Sequence, residues 1–197
     1  MDMSEPFSCV VPSLDGPVLE VLARSEKPMT GRQVHRVARR GSAAGVSKVL
    51  ERLVTSGLVH KQEVGTAALY SANRHHLAWP AVVVLMGLRA TLIERLSDAV
   101  SRLNPVPVKA TLFGSVARGD GDDTSDIDLL LVQPTEDSDP WRDSMSDIAA
   151  DVYRWTGNHV QWVTVSQTRW DQMVDEDDPL VESVNRDGIS LLNGALV

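Results

Sequence analysis

The segment Leu112 to Val132, LFGSVARGDGDDTSDIDLLLV, sets two aspartates, Asp126 and Asp128, one residue apart at the head of an apolar run and puts a Gly-Ser turn eleven to fourteen positions upstream of them. Val108 to Phe113 and Asp126 to Val132 both read as strands. Side chains alternate along a strand, so Asp126 and Asp128 project from one face while Ile127 enters the core. Two ionised carboxylates held side by side repel one another, and a divalent cation bridging to phosphate oxygens removes that repulsion. In this arrangement Gly114 lets a phosphate approach the backbone. Ser115 offers a hydroxyl and an amide, and Arg118 is placed to meet a triphosphate tail.

Elements around this segment continue the alternation. Trp141 to Gly157 reads as a helix with Ile148, Ala149, Val152 and Trp155 inward, and His159 to Val165 as a third strand. Gln167 to Val174 and Asp178 to Gly188 read as helices, and ISLL at Ile189 to Leu192 as a short strand or tail. The expectation is a small mixed-sheet domain over residues 106–197.

With these elements placed, Gly114-Ser115, ten residues, then Asp126-Ile127-Asp128 resembles the signature of the DNA polymerase β-like nucleotidyltransferase superfamily, and of its minimal members in particular. The resemblance spans roughly residues 106–193, with the tail DPLVESVNRDGISLLNG looking like the end of a minimal domain. It implies that Asp126 and Asp128 are catalytic and hold Mg²⁺ or Mn²⁺, that Gly114, Ser115 and Arg118 bind the nucleotide, and that ATP or another NTP is the substrate. It also implies a third carboxylate on the next strand. The slots there are His159 and Gln161, neither acidic, and an amide cannot serve as a base at neutral pH.

Charge divides the chain. Residues 1–78 carry a net charge of +3 and residues 79–197 a net charge of −11, an asymmetry that suggests two modules with different partners. In the first module Asp15 reads as the N-cap of a short helix with Pro17 just inside it. Thr30 and Gln33 have capping-box spacing for a second helix, with Val34 and Val37 as core anchors. Ser42 caps a third, amphipathic helix that Gly57 stops, and Leu58 to Ala72 reads as two strands about a turn at Gly65.

Three helices and a hairpin in this order resemble a winged helix-turn-helix domain of bacterial transcription regulators, over roughly residues 14–75. The resemblance implies a third helix in the DNA major groove presenting Ser42, Ser47, Lys48 and Arg52, with Arg39, Arg40, Lys61 and Arg74 at phosphates.

Between the modules, residues 79–105 read as one long connector helix, Ala81 to Leu103, whose leucine stripe would also suit packing against a second copy of the chain. The fold expected is therefore α/β in the α+β sense: a winged helix-turn-helix over 1–78, the connector, and the transferase domain.

The single cysteine, Cys9, gives no disulfide framework and fits a reducing cytoplasm. The N-terminus lacks a basic start and an apolar run, and no apolar stretch approaches the roughly 20 residues of a membrane span. Taken together, the resemblances imply a nucleotidyltransferase moving NMP to a protein or RNA acceptor. A DNA-binding module on the same chain would suit an antitoxin that represses its own operon and modifies a paired toxin. The alternative is a non-enzymatic regulator with a degenerate, nucleotide-sensing transferase domain.

Overall fold

A computed structural model describes residues 1–134 and 141–192, which fall into two compact units, Glu5–Leu88 and Met1–Ser4 with Arg89–Val197. Asn193 and Gly194 of the predicted domain tail lie outside the described residues.

The first unit opens with a 3-10 turn at Pro6–Cys9 and contains helix α1 (Asp15–Arg24), strand β1 (Met29–Thr30), α2 (Gly31–Ala38), α3 (Ala43–Thr55), strands β2 (Val59–Val64) and β3 (Ala67–Ala72), and α4 (Trp79–Met86). The three strands form an antiparallel sheet of order β1-β3-β2. Two of the predicted caps form. Thr30 and Gln33 make a reciprocal capping box, and the Ser42 hydroxyl accepts from the Gly45 amide at 3.1 Å. Val18, Leu22, Val34, Val46, Leu50, Leu53, Val59 and Tyr70 supply the core.

Two local expectations change. Asp15 is not a cap; its carboxylate turns inward to pair with Arg52, while Leu14 occupies the cap position without a side-chain bond. Val37 is 55% exposed, because the short helix α2 turns only its Val34 stripe inward.

The second unit contains α5 (Leu88–Ser101), whose first residue belongs to the other unit, then β4 (Lys109–Phe113), α6 (Gly114–Arg118), β5 (Ile127–Gln133), α7 (Arg142–Thr156), β6 (Val160–Ser166), α8 (Gln167–Asp175), α9 (Pro179–Asp187) and β7 (Ile189–Ser190). The sheet order is β6-β5-β4-β7. β5 runs parallel to β6 and antiparallel to β4.

This topology explains the unbroken apolar run. Ile127, Leu129 and Leu131 lie against Leu92, Leu96 and Val100 of α5 and Ile148 and Val152 of α7, whereas Leu130 and Val132 lie with Trp170, Met173, Val181 and Val184 of α8 and α9. A strand covered on both faces has no polar face to alternate with. Asp128 shares the face of Leu130 and Val132 and stands where that apolar cover ends.

Instead of one connector helix over 79–105, α4 and α5 are separate, divided at Gly87. Each half follows its own core: Val82, Leu85 and Met86 join the first unit, and Leu92, Ile93, Leu96 and Val100 join the second. Among the described residues no helix is long and apolar enough to cross a membrane.

Candidate functional site

Strand β4 ends at Phe113, whose register partner is Asp128, and the chain turns at once into the five-residue α6. Gly114 makes this turn with φ +71°. A Cβ built on Gly114 would stand 2.1 Å from Asp128 Oδ2 and 3.0 Å from its Cγ. Only a residue that tolerates positive φ and has no side chain fits here. The glycine thus receives the Asp128 carboxylate against its own backbone, a close approach that sequence reading assigned to a phosphate.

The loop leading to Asp126 is tied by its own side chains. Asp122 Oδ1 accepts from the Thr124 amide at 2.9 Å, the Thr124 hydroxyl at 2.8 Å and the Ser125 hydroxyl at 2.9 Å. These bonds hold the Asp122 carboxyl below the usual carboxylate range, Thr124 first and Ser125 next. From the other side Asn158, buried between α7 and β6, donates Nδ2 to the Ser125 carbonyl at 2.9 Å and to the Asp122 carbonyl at 3.4 Å. The Ile127 amide, between the two site aspartates, donates to the His159 carbonyl at 2.8 Å.

Asp126 is exposed and Asp128 half-buried. Burial, followed by the neighbouring Asp126 charge, pushes the Asp128 carboxyl above its ordinary value, and Arg118 opposes this only in part. The parallel register pairs Asp128 with Gln161. One step outside the strand, the same register sets His159 beside Asp126. The slot next to Asp128 therefore holds an amide, and among the described residues no group of three His, Cys, Asp or Glu side chains gathers to hold a metal. Two carboxylates still fit a Mg²⁺ ion, which keeps several waters and takes its remaining oxygens from substrate phosphates.

Arg118 reaches the site already partnered. Its Nε lies 3.2 Å from Asp120 and its Nη1 3.5 Å from Asp187 at the end of α9, and Arg186 also contacts Asp187. Arg186, then Arg118, holds the Asp187 carboxyl below its usual range. Ser115 is half-buried in α6, and its carbonyl accepts from the Asp120 amide at 3.0 Å.

Asn158, Asp120 and Asp187 escaped sequence reading, since their partners lie 33, 2 and 69 positions away and only Asp120 is local. The Asp-x-Thr-Ser pattern of the Asp122 knot was the one signal available, as Asp, Ser and Thr favour such turns.

Residues 93–180 match the family model of the nucleotidyltransferase domain. That span, within the second unit, is similar to nucleotidyltransferase domains. Such domains generally use NTP substrates and divalent metals, and the matched span holds Gly114, Ser115, Arg118, Asp126 and Asp128. A crystal structure of a candidate nucleotidyltransferase from Sulfolobus solfataricus is 22% identical, covers 53% of this chain and 83% of its own, and superposes with a TM-score of 0.32. No curated protein matches the chain. In the second unit Gly114 and Asp128 meet at the end of the β4–β5 pair.

In the first unit the residues predicted to meet DNA separate into two groups. Ser47 and Lys48 are exposed on α3, and Arg39 is exposed after α2. Ser42 is committed to its cap, and Arg52 pairs with Asp15. Arg40 lies 2.7 Å from Glu5, and Lys61 lies 3.0 Å from Glu51. Arg74 donates to the Ala23 carbonyl at 3.1 Å. A groove of about 650 Å³ runs between the start of α2, α3 and the β2–β3 hairpin, lined by Arg32, Ala43, Ser47, Thr66, Ala67 and Tyr70 among others.

Proposed function

We propose that the second unit is a metal-dependent nucleotidyltransferase moving AMP from ATP to a hydroxyl of a protein or RNA acceptor. The observation that carries this reading is the Asp128 carboxylate held against the Cα of Gly114. That contact brings the Gly-Ser turn and the aspartate pair into one site, where either motif alone would be a weak signal. Asp126 and Asp128 would hold Mg²⁺ or Mn²⁺, which when bound supplies charge neutralisation at the reacting phosphate and the leaving pyrophosphate. Gly114 leaves the carboxylate room. Ser115 presents its hydroxyl at the turn, and Arg118, steered by Asp120 and Asp187, is aimed at the triphosphate tail. Gln161 orients groups beside Asp128 and takes no proton.

The first unit, in the same proposal, is a winged helix-turn-helix module that reads operator DNA. Helices α1 to α3, the sheet of order β1-β3-β2 and the groove between α3 and the hairpin support this. Ser47 and Lys48 face the DNA, Ser42 caps the reading helix, and Arg52 braces that helix against Asp15. A chain joining these activities suits an autoregulating antitoxin, cytoplasmic, acting on a toxin protein or an RNA.

Gln161 favours a second reading, a DNA-binding regulator whose transferase domain senses nucleotide without turnover. One experiment decides: transfer of label from α-phosphate-labelled NTPs, with Mg²⁺ or Mn²⁺, to protein and RNA acceptors, using the Asp126→Asn, Asp128→Asn variant as blank. Label appearing only with the wild type supports the transferase. Label with neither, alongside intact operator binding, supports the regulator.

A further inference from the structure

Among the described residues, which include all nine Phe, Trp and Tyr of the chain, Tyr153 is the only one of these aromatics that is exposed, at 52% of its surface. It does not stand alone. The Tyr153 ring, on the last full turn of α7, stacks on the exposed imidazole of His159 with centroids 4.9 Å apart and planes inclined by 28°. His159 directly precedes Val160 as Asp126 precedes Ile127, the first pair of the β5–β6 register, and its carbonyl accepts from the Ile127 amide at 2.8 Å.

The stack is also fixed in place. Asn158 anchors the segment before His159 to the Ser125 carbonyl, and the His159 carbonyl takes the Ile127 amide, so the backbone that carries His159 is tied to the chain on both sides of Asp126. An exposed ring already ordered by a neighbour loses little conformational freedom when a third plane is added. Every nucleobase has such a plane, and base-on-aromatic stacking accepts any sequence.

We infer that the Tyr153–His159 stack is a nucleobase platform of the transferase site, receiving either the base of the incoming NTP or the terminal base of a nucleic-acid acceptor. This rests on the transferase reading above. The ligand chemistry is the same for both sources.

The test is equilibrium binding to the full-length chain in Mg²⁺, with three probes: a non-hydrolysable ATP analogue, a short single-stranded oligoribonucleotide, and tripolyphosphate as the base-free control. Tyr153→Leu keeps a helix-forming residue at an exposed position, and Tyr153→Phe keeps the ring. The expected result is a loss of about five- to 150-fold for one base-bearing probe in Tyr153→Leu, full retention in Tyr153→Phe, and no change for tripolyphosphate. Loss confined to the analogue assigns the platform to the NTP, and loss confined to the oligoribonucleotide assigns it to the acceptor. Unchanged binding of both base-bearing probes, or an equal loss for tripolyphosphate, overturns the platform. The Asp126→Asn, Asp128→Asn variant separates the two failures. If it binds every probe as tightly as wild type, the transferase reading fails, whatever Tyr153 does.

Discussion

Gly114 and Asp128 form the pair on which the site depends. In Gly114→Ala the new Cβ meets the carboxylate at a positive φ, so a loss of about 1–3 kcal/mol is expected. Combining it with Asp128→Ala removes Oδ2 and Cγ and leaves a 3.4 Å contact with Cβ. A double-mutant cycle in urea should therefore show positive coupling, and strict additivity would mean the two residues do not meet. Asp128 also has a pH signature. Its folded-state pKa is raised, by burial and then by Asp126, so its ionisation costs stability at neutral pH. That cost is absent below the ordinary aspartate range, grows as pH rises, and is complete above the raised folded pKa. Metal-free Asp128→Asn should accordingly have a higher Tm than wild type at pH 7, with the advantage disappearing by about pH 3. Because cation binding needs the ionised pair, Mg²⁺-dependent nucleotide affinity should fall as pH is lowered through the same window.

At the level of elements, the loop before Asp126 is held by a residue at the far end of α7. Asn158→Ala leaves the Ser125 carbonyl without its side-chain donor, and a destabilisation of about 1–3 kcal/mol is expected. Hydrogen exchange separates this from a general weakening: the amides of Thr124 and Ile127 should lose protection more than those of Leu129 to Leu131. Gly87, between α4 and α5, makes the opposite prediction. Its φ of −87° suits any residue, and an added Cβ would lie 3.5 Å from the Val83 and Val84 carbonyls. Gly87→Ala should be neutral or stabilising by about 0.4–1 kcal/mol. A large loss would show that the break between the helices needs glycine itself.

Two cores in one chain make the whole molecule divisible. Leu50 is fully buried in the first unit and Leu130 in the second, and truncating either to Ala removes about 2–5 kcal/mol from its own core. Leu50→Ala should impair DNA binding while sparing Mg²⁺-dependent nucleotide binding, and Leu130→Ala should do the reverse. Loss of both activities in either variant would argue against separable units. The division of charge, +3 before residue 79 and −11 after it, predicts that salt weakens the first activity much more than the second. Lys48→Ala should lower the salt slope of DNA binding by about one. Arg52→Ala should act mainly through stability, because it strands the Asp15 carboxylate that Arg52 now pairs.

Much of what short-range physics governs was legible in the sequence, although the Asp15 cap was not realised. The Thr30–Gln33 box, the Ser42 cap, the strands about Gly65 and the strand that opens on Asp126-Ile127-Asp128 follow from spacing, since each depends on neighbours within a few positions. Tertiary structure decided the rest. Only the β4–β5 pairing shows that Gly114 accommodates the Asp128 carboxylate, and only the β5–β6 register places Gln161 beside Asp128 and His159 beside Asp126. Arg52, Arg40 and Lys61 read as free cations in sequence because their partners Asp15, Glu5 and Glu51 lie 37, 35 and 10 positions away. Helical periodicity ran unbroken from Ala81 to Leu103, yet the chain divides at Gly87, because burial against two different cores outweighs the continuity of a single helix.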